Sequence, residues 1–390
     1  MRLHIRWVVA ASALALVAAR SPEIPEAVPV NPVASWSASN LSVIREEAAK
    51  APMDALSTPD LAPLEQAVAS GEPERLGKAA NALALELIRL HLLGAAKSSE
   101  KAGWKIADSD AKRDLKTELS TALKEGRLQT YFESLRPRHP DYATLRSAYG
   151  AEIDAQRKLT IARNMERWRW MPNDLGADFV LVNAASFEAS LWRKGERAGT
   201  WPVVVGKTKS PTPVFAAKIT GVTFNPWWDI PANIVRESIG ALVRKSPSLA
   251  RQRGYVWTGG RYRQKPGPNN ALGQMKLVMP NPYTIYLHDT PSKDLFNREV
   301  RAFSHGCIRV SDALGFAKTL LGEQTTSEAV DGIVDGGKTT TVKLDQPLPV
   351  YITYFTATVR GDGQLAFVPD IYGRDKFMGD ATNPAERCAA

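Results

Sequence analysis

Apolar residues recur along this chain at two different periods, and the change falls near residue 172. Between about 40 and 170 the spacing is helical. Leu76, Ala80, Leu83, Leu87 and Leu90 follow three- and four-residue steps, and Gly94 marks a C-terminal stop. Asp108 or Ser109 is placed to cap a following helix, whose Leu115, Leu119 and Leu123 form one stripe before Gly126. A further helix over Asp154–Trp170 is predicted to end at Met171-Pro172, because proline disfavours helical geometry in the residue before it. Catalytic residue types do not cluster in this part, which reads as a packing scaffold.

Beyond Pro172 the pattern shortens to strands broken by turn residues. Asp178–Asn183, Phe187–Trp192, Trp201–Gly206 and Val214–Phe224 are predicted strands. Gln274–Met279 and Tyr283–His288 are joined by Pro280-Asn281-Pro282 in a hairpin-like connection, and Val350–Val359 returns to strand. One helix, Ser311–Leu321 with Ser311 as its cap, interrupts them. The stretch from Ile234 to Asn270 begins helical and then turns rich in Arg, Lys, Gly and Pro; an insertion of that length in a β unit reads as a lid or binding loop. The fold class expected is α+β, a helical N-terminal scaffold at 41–160 followed by a mostly β catalytic unit at 161–376.

The two ends carry different signals. Arg2 and Arg6 precede a 13-residue uncharged run from Trp7 to Ala19, with small residues at Val17 and Ala19, the layout of an export signal over 1–20. Thirteen residues fall short of the ~20 that span a bilayer, so stable membrane insertion is not expected. Pro22, Pro25, Pro29 and Pro32 then mark a flexible tether over 21–40. Export places the mature chain in a periplasm. Residues 377–390 form a polar tail, in which Cys388 reads as unstructured and non-catalytic.

Composition narrows the class. Of 390 residues 44% are apolar and 23% charged, which excludes wholesale disorder and a multi-span membrane protein. A net charge of +9 is mild for this length; it suits an anionic partner without indicating nucleic acid. Two cysteines, Cys307 and Cys388, build neither a disulfide scaffold nor a four-thiolate zinc site.

The informative segment is His288–Val310, HDTPSKDLFNREVRAFSHGCIRV. A thiol is a weak nucleophile until ionised and needs a basic neighbour, which His288 or His305 supplies. Gly306 before Cys307 permits a tight turn that exposes the sulfur and frees N–H groups for an oxyanion hole. Arg309 lies on the same side of an extended chain as Cys307 and suits a substrate carboxylate. His288, His305 and Cys307 are also a formal zinc set, but His305 and Cys307 are too close in sequence for an obvious chelate and lack an acidic base, so no metal or other cofactor is implied. A papain-like protease is disfavoured because its cysteine precedes its histidine, whereas here His288 comes first.

The histidine, the spacer and Ser304-His305-Gly306-Cys307 with Arg309 resemble the L,D-transpeptidase (YkuD-type) catalytic domain. Residues 164–172 (NMERWRWMP), 212–231, 263–291 and 370–375 (DIYGRD) are similar to its periplasmic YcbB-like branch in particular. The likeness covers roughly 160–376, with a weaker one to that branch's scaffold. It implies Cys307 as nucleophile, His288 as base, the backbone carbonyl of Asp289 orienting the ring, and N–H groups around Gly306 and Cys307 as the oxyanion hole. It also implies that Ser304, His305 and Arg309 shape the site, and that the 234–270 insertion is a capping lobe. Trp227, Trp228, Trp257 and the basic residues Arg244, Lys245, Arg251, Arg253, Arg261, Arg263 and Lys265 are placed to meet carboxylate-bearing peptidoglycan stem peptides. The implied reaction is 3–3 cross-linking through a thioester with release of D-Ala. The same acyl-enzyme also serves carboxypeptidase, D-amino acid exchange or lipoprotein linkage, and a non-catalytic peptidoglycan-binding protein is the alternative outside enzymes. A separate peptidoglycan-binding module between scaffold and catalytic parts is not evident.

Overall fold

The computed structural model describes residues 36–378. The expected export signal, most of the tether, and the tail with Cys388 lie outside the described residues. The tether ends earlier than position 40, because Ser37 caps a helix that begins at Ala38, its hydroxyl accepting the Asn40 N–H at 3.2 Å.

The first part is helical: α1 (Ala38–Lys50), α2 (Ala62–Ser70), α3 (Pro73–Leu93), α4 (Leu115–Lys124), α5 (Leu128–Ser134), α6 (Pro140–Ala151) and α7 (Ala155–Trp168). The α3 stripe of Ala80, Leu83, Leu87 and Ile88 packs with Leu119, Leu123 and Phe132 into one buried core. Gly94 ends α3 at φ +76°, as its spacing predicted. The α4 cap is Asp114 rather than Asp108 or Ser109, since the Asp108 carboxylate folds back on Asp110 N–H instead. A short strand, β1 (Trp104–Lys105), crosses to the second unit.

The 164–172 segment fastens the two parts through charges taken out of water. Glu166 accepts the N–H groups of Ala95 and Ala96, and fully buried Arg169 pairs with Glu166 at 3.0 Å and donates to Tyr142 at 2.8 Å. Arg167 reaches Asp375 at 2.7 Å. Buried charges persist only when paired this completely.

The second unit contains β2 (Phe179–Asn183), β3 (Glu188–Arg193), β4 (Glu196–Gly206), β5 (Val214–Phe224) and β6 (Trp228–Asp229). After these come helices α8 (Ala232–Ile234), α9 (Gly240–Lys245) and α10 (Pro247–Gln252), then β7 (Tyr255–Thr258) and β8 (Arg261–Gln264). It continues with β9 (Met275–Val278), β10 (Leu287–His288), β11 (Ala302–Ser304), β12 (Ile308–Val310), α11 (Ala313–Leu321), α12 (Ser327–Asp335), β13 (Thr340–Thr353), β14 (Ala357–Val359) and β15 (Leu365–Phe367). The main sheet runs β1-β5-β13-β2-β3-β4-β12-β10-β9, and β9 pairs again with β5, so the sheet closes around a core of Val203, Val205, Ile219, Leu287, Ile308 and Val350.

Several strand and helix expectations shift. The expected strand 350–359 breaks after Thr353, because the side chains of Asn183 and Asn164 take over the N–H groups of Phe355 and Thr356 at 2.9 and 2.8 Å. Most of Tyr283–His288 is turn rather than strand: the Asn281 side chain binds the N–H groups of Tyr283 and Ile285, and only Leu287–His288 joins the ladder. Asp312, not Ser311, caps α11, and a second helix, α12, was not anticipated. The 234–270 insertion begins earlier than expected, with β6, β8 and β7 forming their own small sheet over Trp228, Ile230, Ile239 and Leu272.

Candidate active site

Parallel pairing of β10 with β12 sets Leu287 opposite Ile308 and His288 opposite Arg309. Ile308 N–H donates to Tyr286 O at 3.0 Å, which brings Tyr286 level with Cys307. Because side chains alternate, Leu287 and Ile308 enter the core while Tyr286, His288, Cys307 and Arg309 share the opposite face. Lys276 of β9, opposite His288, joins them. His288 of β10 and Cys307, one residue before β12, thus lie toward the same face.

His288 is buried, and its Nδ1 lies 2.5 Å from the carbonyl oxygen of Asp289. A carbonyl only accepts, so Nδ1 carries the proton and Nε2 is left as a lone-pair nitrogen. Asp289 itself is immobilised: its N–H donates to Met275 O at 2.9 Å, and its carboxylate takes Gln274 N–H at 2.8 Å and Lys293 Nζ at 2.5 Å. Burial, with Arg309 and Lys276 adding to it, pushes the His288 imidazolium down to about 3. Burial also pushes the Cys307 thiol up, against hydrogen bonds from Tyr286 and the positive charges of Arg309 and Lys276. Burial thus favours the neutral form of both groups.

The turn carrying Cys307 is glycine-dependent. Gly306 has φ +118°, and a Cβ there would sit 2.9 Å from Ile285 Cδ1. Ser304 bridges the turn, its hydroxyl donating to Cys307 O at 2.6 Å and accepting Gly306 N–H at 3.0 Å. The Gly306 N–H is thereby occupied by Ser304.

Not every predicted residue joins that face. His305 is exposed and turns to the insertion, with Nε2 2.7 Å from Glu237 Oε2 and 3.2 Å from Lys207 Nζ. Arg309 is half-buried with an unpartnered Nε. Arg263 stacks on Trp227 at 4.6 Å and pairs with Asp229 at 2.6 Å, so these two meet each other within the insertion. Trp228 belongs to the insertion core, while Trp257 is 62% exposed. Tyr286, whose ring lies 5.6 Å from that of His288, joins the site, and its position two residues before His288 is the sequence signal for it. Glu237 and Lys207 left no sequence signal.

The family described as the L,D-transpeptidase catalytic domain (YkuD) matches residues 177–352, and a scaffold-domain family matches residues 46–148. A Haemophilus influenzae protein, provisionally named an L,D-transpeptidase, is 31% identical over 238 residues, covering 55% of this chain and 48% of that protein. The chain thus spans about half the length of that relative. An L,D-transpeptidase from Mycobacterium tuberculosis is 12% identical over 45% of this chain and 57% of that chain, with a TM-score of 0.24. One from Mycobacterium smegmatis is 14% identical over 45% and 58%, with a TM-score of 0.26. Residues 177–352 thus carry an L,D-transpeptidase (YkuD) catalytic domain, with a scaffold domain before it at 46–148.

Proposed function

We propose that the protein is a periplasmic peptidoglycan L,D-transpeptidase that forms 3–3 cross-links. The observation that carries this reading is the shared face of Cys307 and His288, with Nδ1 held by Asp289 and Nε2 left as a base. Cys307 Sγ attacks the carbonyl between the L-centre of the diamino acid and the terminal D-Ala of a tetrapeptide stem. Its proton passes to His288 Nε2 as the S–C bond forms, and the oxyanion is met by Cys307 N–H. His288 then protonates the departing D-Ala nitrogen as the C–N bond breaks, leaving a thioester. A side-chain amine from a second stem attacks that thioester and gives up a proton to His288; as the new amide forms the S–C bond breaks, and His288 returns that proton to the sulfur.

Arg309 suits this substrate. It pairs opposite His288 in the ladder, and its Nε has no partner. A stem carboxylate would complete it. The insertion, tied to the nucleophile turn through Glu237, would keep water from a thioester that must await an amine.

The test is incubation with purified disaccharide-tetrapeptides followed by mass analysis. Dimers lacking one D-Ala support cross-linking. Tripeptides alone would assign hydrolysis, and adduct formation on Cys307→Ala would remove Cys307 as nucleophile.

A further inference from the structure

We propose that Thr212 is a positioning residue for acyl transfer, holding the peptide unit between Gly306 and Cys307 so that Cys307 N–H faces the reacting carbonyl. The inference rests on the reading of Cys307 as the nucleophile. A trans peptide is planar, with C=O and N–H directed oppositely, and among the described residues no peptide is cis. Whatever fixes Gly306 O therefore aims Cys307 N–H. Thr212 Oγ1 donates to Gly306 O at 2.8 Å.

The threonine is itself held on every polar atom. Its hydroxyl accepts Gly206 N–H at 2.9 Å, so its one proton is committed to Gly306. Its N–H donates to Tyr372 Oη at 3.3 Å, and its carbonyl accepts Arg374 Nη2 at 3.0 Å. Tyr372 in turn donates to Gly206 O. The side chain is wholly buried. Gly206 has to be glycine for the loop to fold back this far, since a Cβ there would fall 2.2 Å from Ser210 O. The DIYGRD stretch at 370–375, to which the catalytic reading gives no role, thus buttresses Thr212 from behind.

Two consequences follow for the oxyanion. Gly306 N–H is occupied by Ser304, so the orientation of a single peptide plane decides whether the turn offers a backbone donor. The Thr212 bond to Gly306 O also polarises that peptide and strengthens Cys307 N–H as a donor.

The experiment compares two reactions of Cys307 in the full-length enzyme. Acylation by a tetrapeptide donor passes through an oxyanion, whereas alkylation by iodoacetamide does not. Thr212→Val is expected to slow single-turnover acylation about 10- to 100-fold, the range below outright loss of an oxyanion donor. KM and the alkylation rate should stay at parental values, and Thr212→Ser should restore acylation. The proposal is overturned if Thr212→Val acylates at the parental rate, if acylation and alkylation fall by the same factor, or if Thr212→Ser is as slow as Thr212→Val. Should Thr212→Val fail to fold, Tyr372→Phe loosens the same residue from outside. A smaller but equally selective loss of acylation supports the proposal there, and unchanged acylation overturns it. Absence of any Cys307 adduct in the parent removes the nucleophile assignment, which is a different result from a parent that acylates and a Thr212→Val variant that does so equally well.

Discussion

Glu237, on the insertion, reaches His305 of the turn before Cys307 at 2.7 Å, and the same carboxylate takes Lys207 at 3.4 Å. Hydrogen bonds from His305 and Lys207 hold the Glu237 carboxyl below its ordinary range. All three groups are solvent-accessible, so the contact is open to screening by salt. Glu237→Gln should therefore raise hydrogen exchange across residues 232–264. Added salt should do the same to the parent and little further to the variant. Equal exchange in both proteins at low salt would show that the insertion is held by its apolar contacts alone.

A thiol lifted by burial and only partly relieved by cations predicts a specific alkylation profile. The rate of Cys307 modification should climb through a midpoint above that of an ordinary thiol. Arg309→Gln removes one of the charges that favour the thiolate, so its midpoint should move higher still. A midpoint below the ordinary thiol range in the parent would instead indicate a resting thiolate–imidazolium pair.

Gly306→Ala asks an L-residue to occupy φ +118° and sets a methyl 2.9 Å from Ile285 Cδ1. The strain expected is about 1–3 kcal/mol. Because the same turn aims Cys307 N–H, acylation should fall far more than the stability loss accounts for. A variant with parental acylation and a reduced melting temperature would separate the glycine from the chemistry.

Much of this site was legible before any coordinates. The end of YTIYLH and the SHGC run are local patterns, and pairing of β10 with β12 brings His288 and Cys307 toward one face. Gly306 and Gly94 were readable for the same reason, as positive φ leaves a residue-type signature. What stayed hidden depends on partners far away in sequence. Thr212 gains its meaning from Gly306, Glu237 from His305, and Asn164 and Asn183 from the backbone of 355–356. The misplaced caps show a nearer limit: Asp108 and Ser311 are good cap residues, but Asp114 and Asp312 sit closer to the first buried turn and win.

His91 offers a test of the scaffold that does not involve catalysis. It is wholly buried on α3, with neither ring nitrogen partnered. Burial pushes its pKa down to about 3; Asp54, 4.0 Å away, opposes the shift, and Arg136, Arg169 and Arg146 reinforce it. The unfolded chain binds a proton at this histidine below about pH 6.5, while the folded chain refuses it until near pH 3, so stability is lost as pH falls through that window. The slope from one such group is about 1.4 kcal/mol per pH unit. His91→Gln should flatten the pH dependence of the urea-unfolding free energy between pH 6 and 4 by roughly that amount, whatever it does to stability at pH 7. An unaltered slope would mean that His91 is already protonated in the folded protein and paired with Asp54.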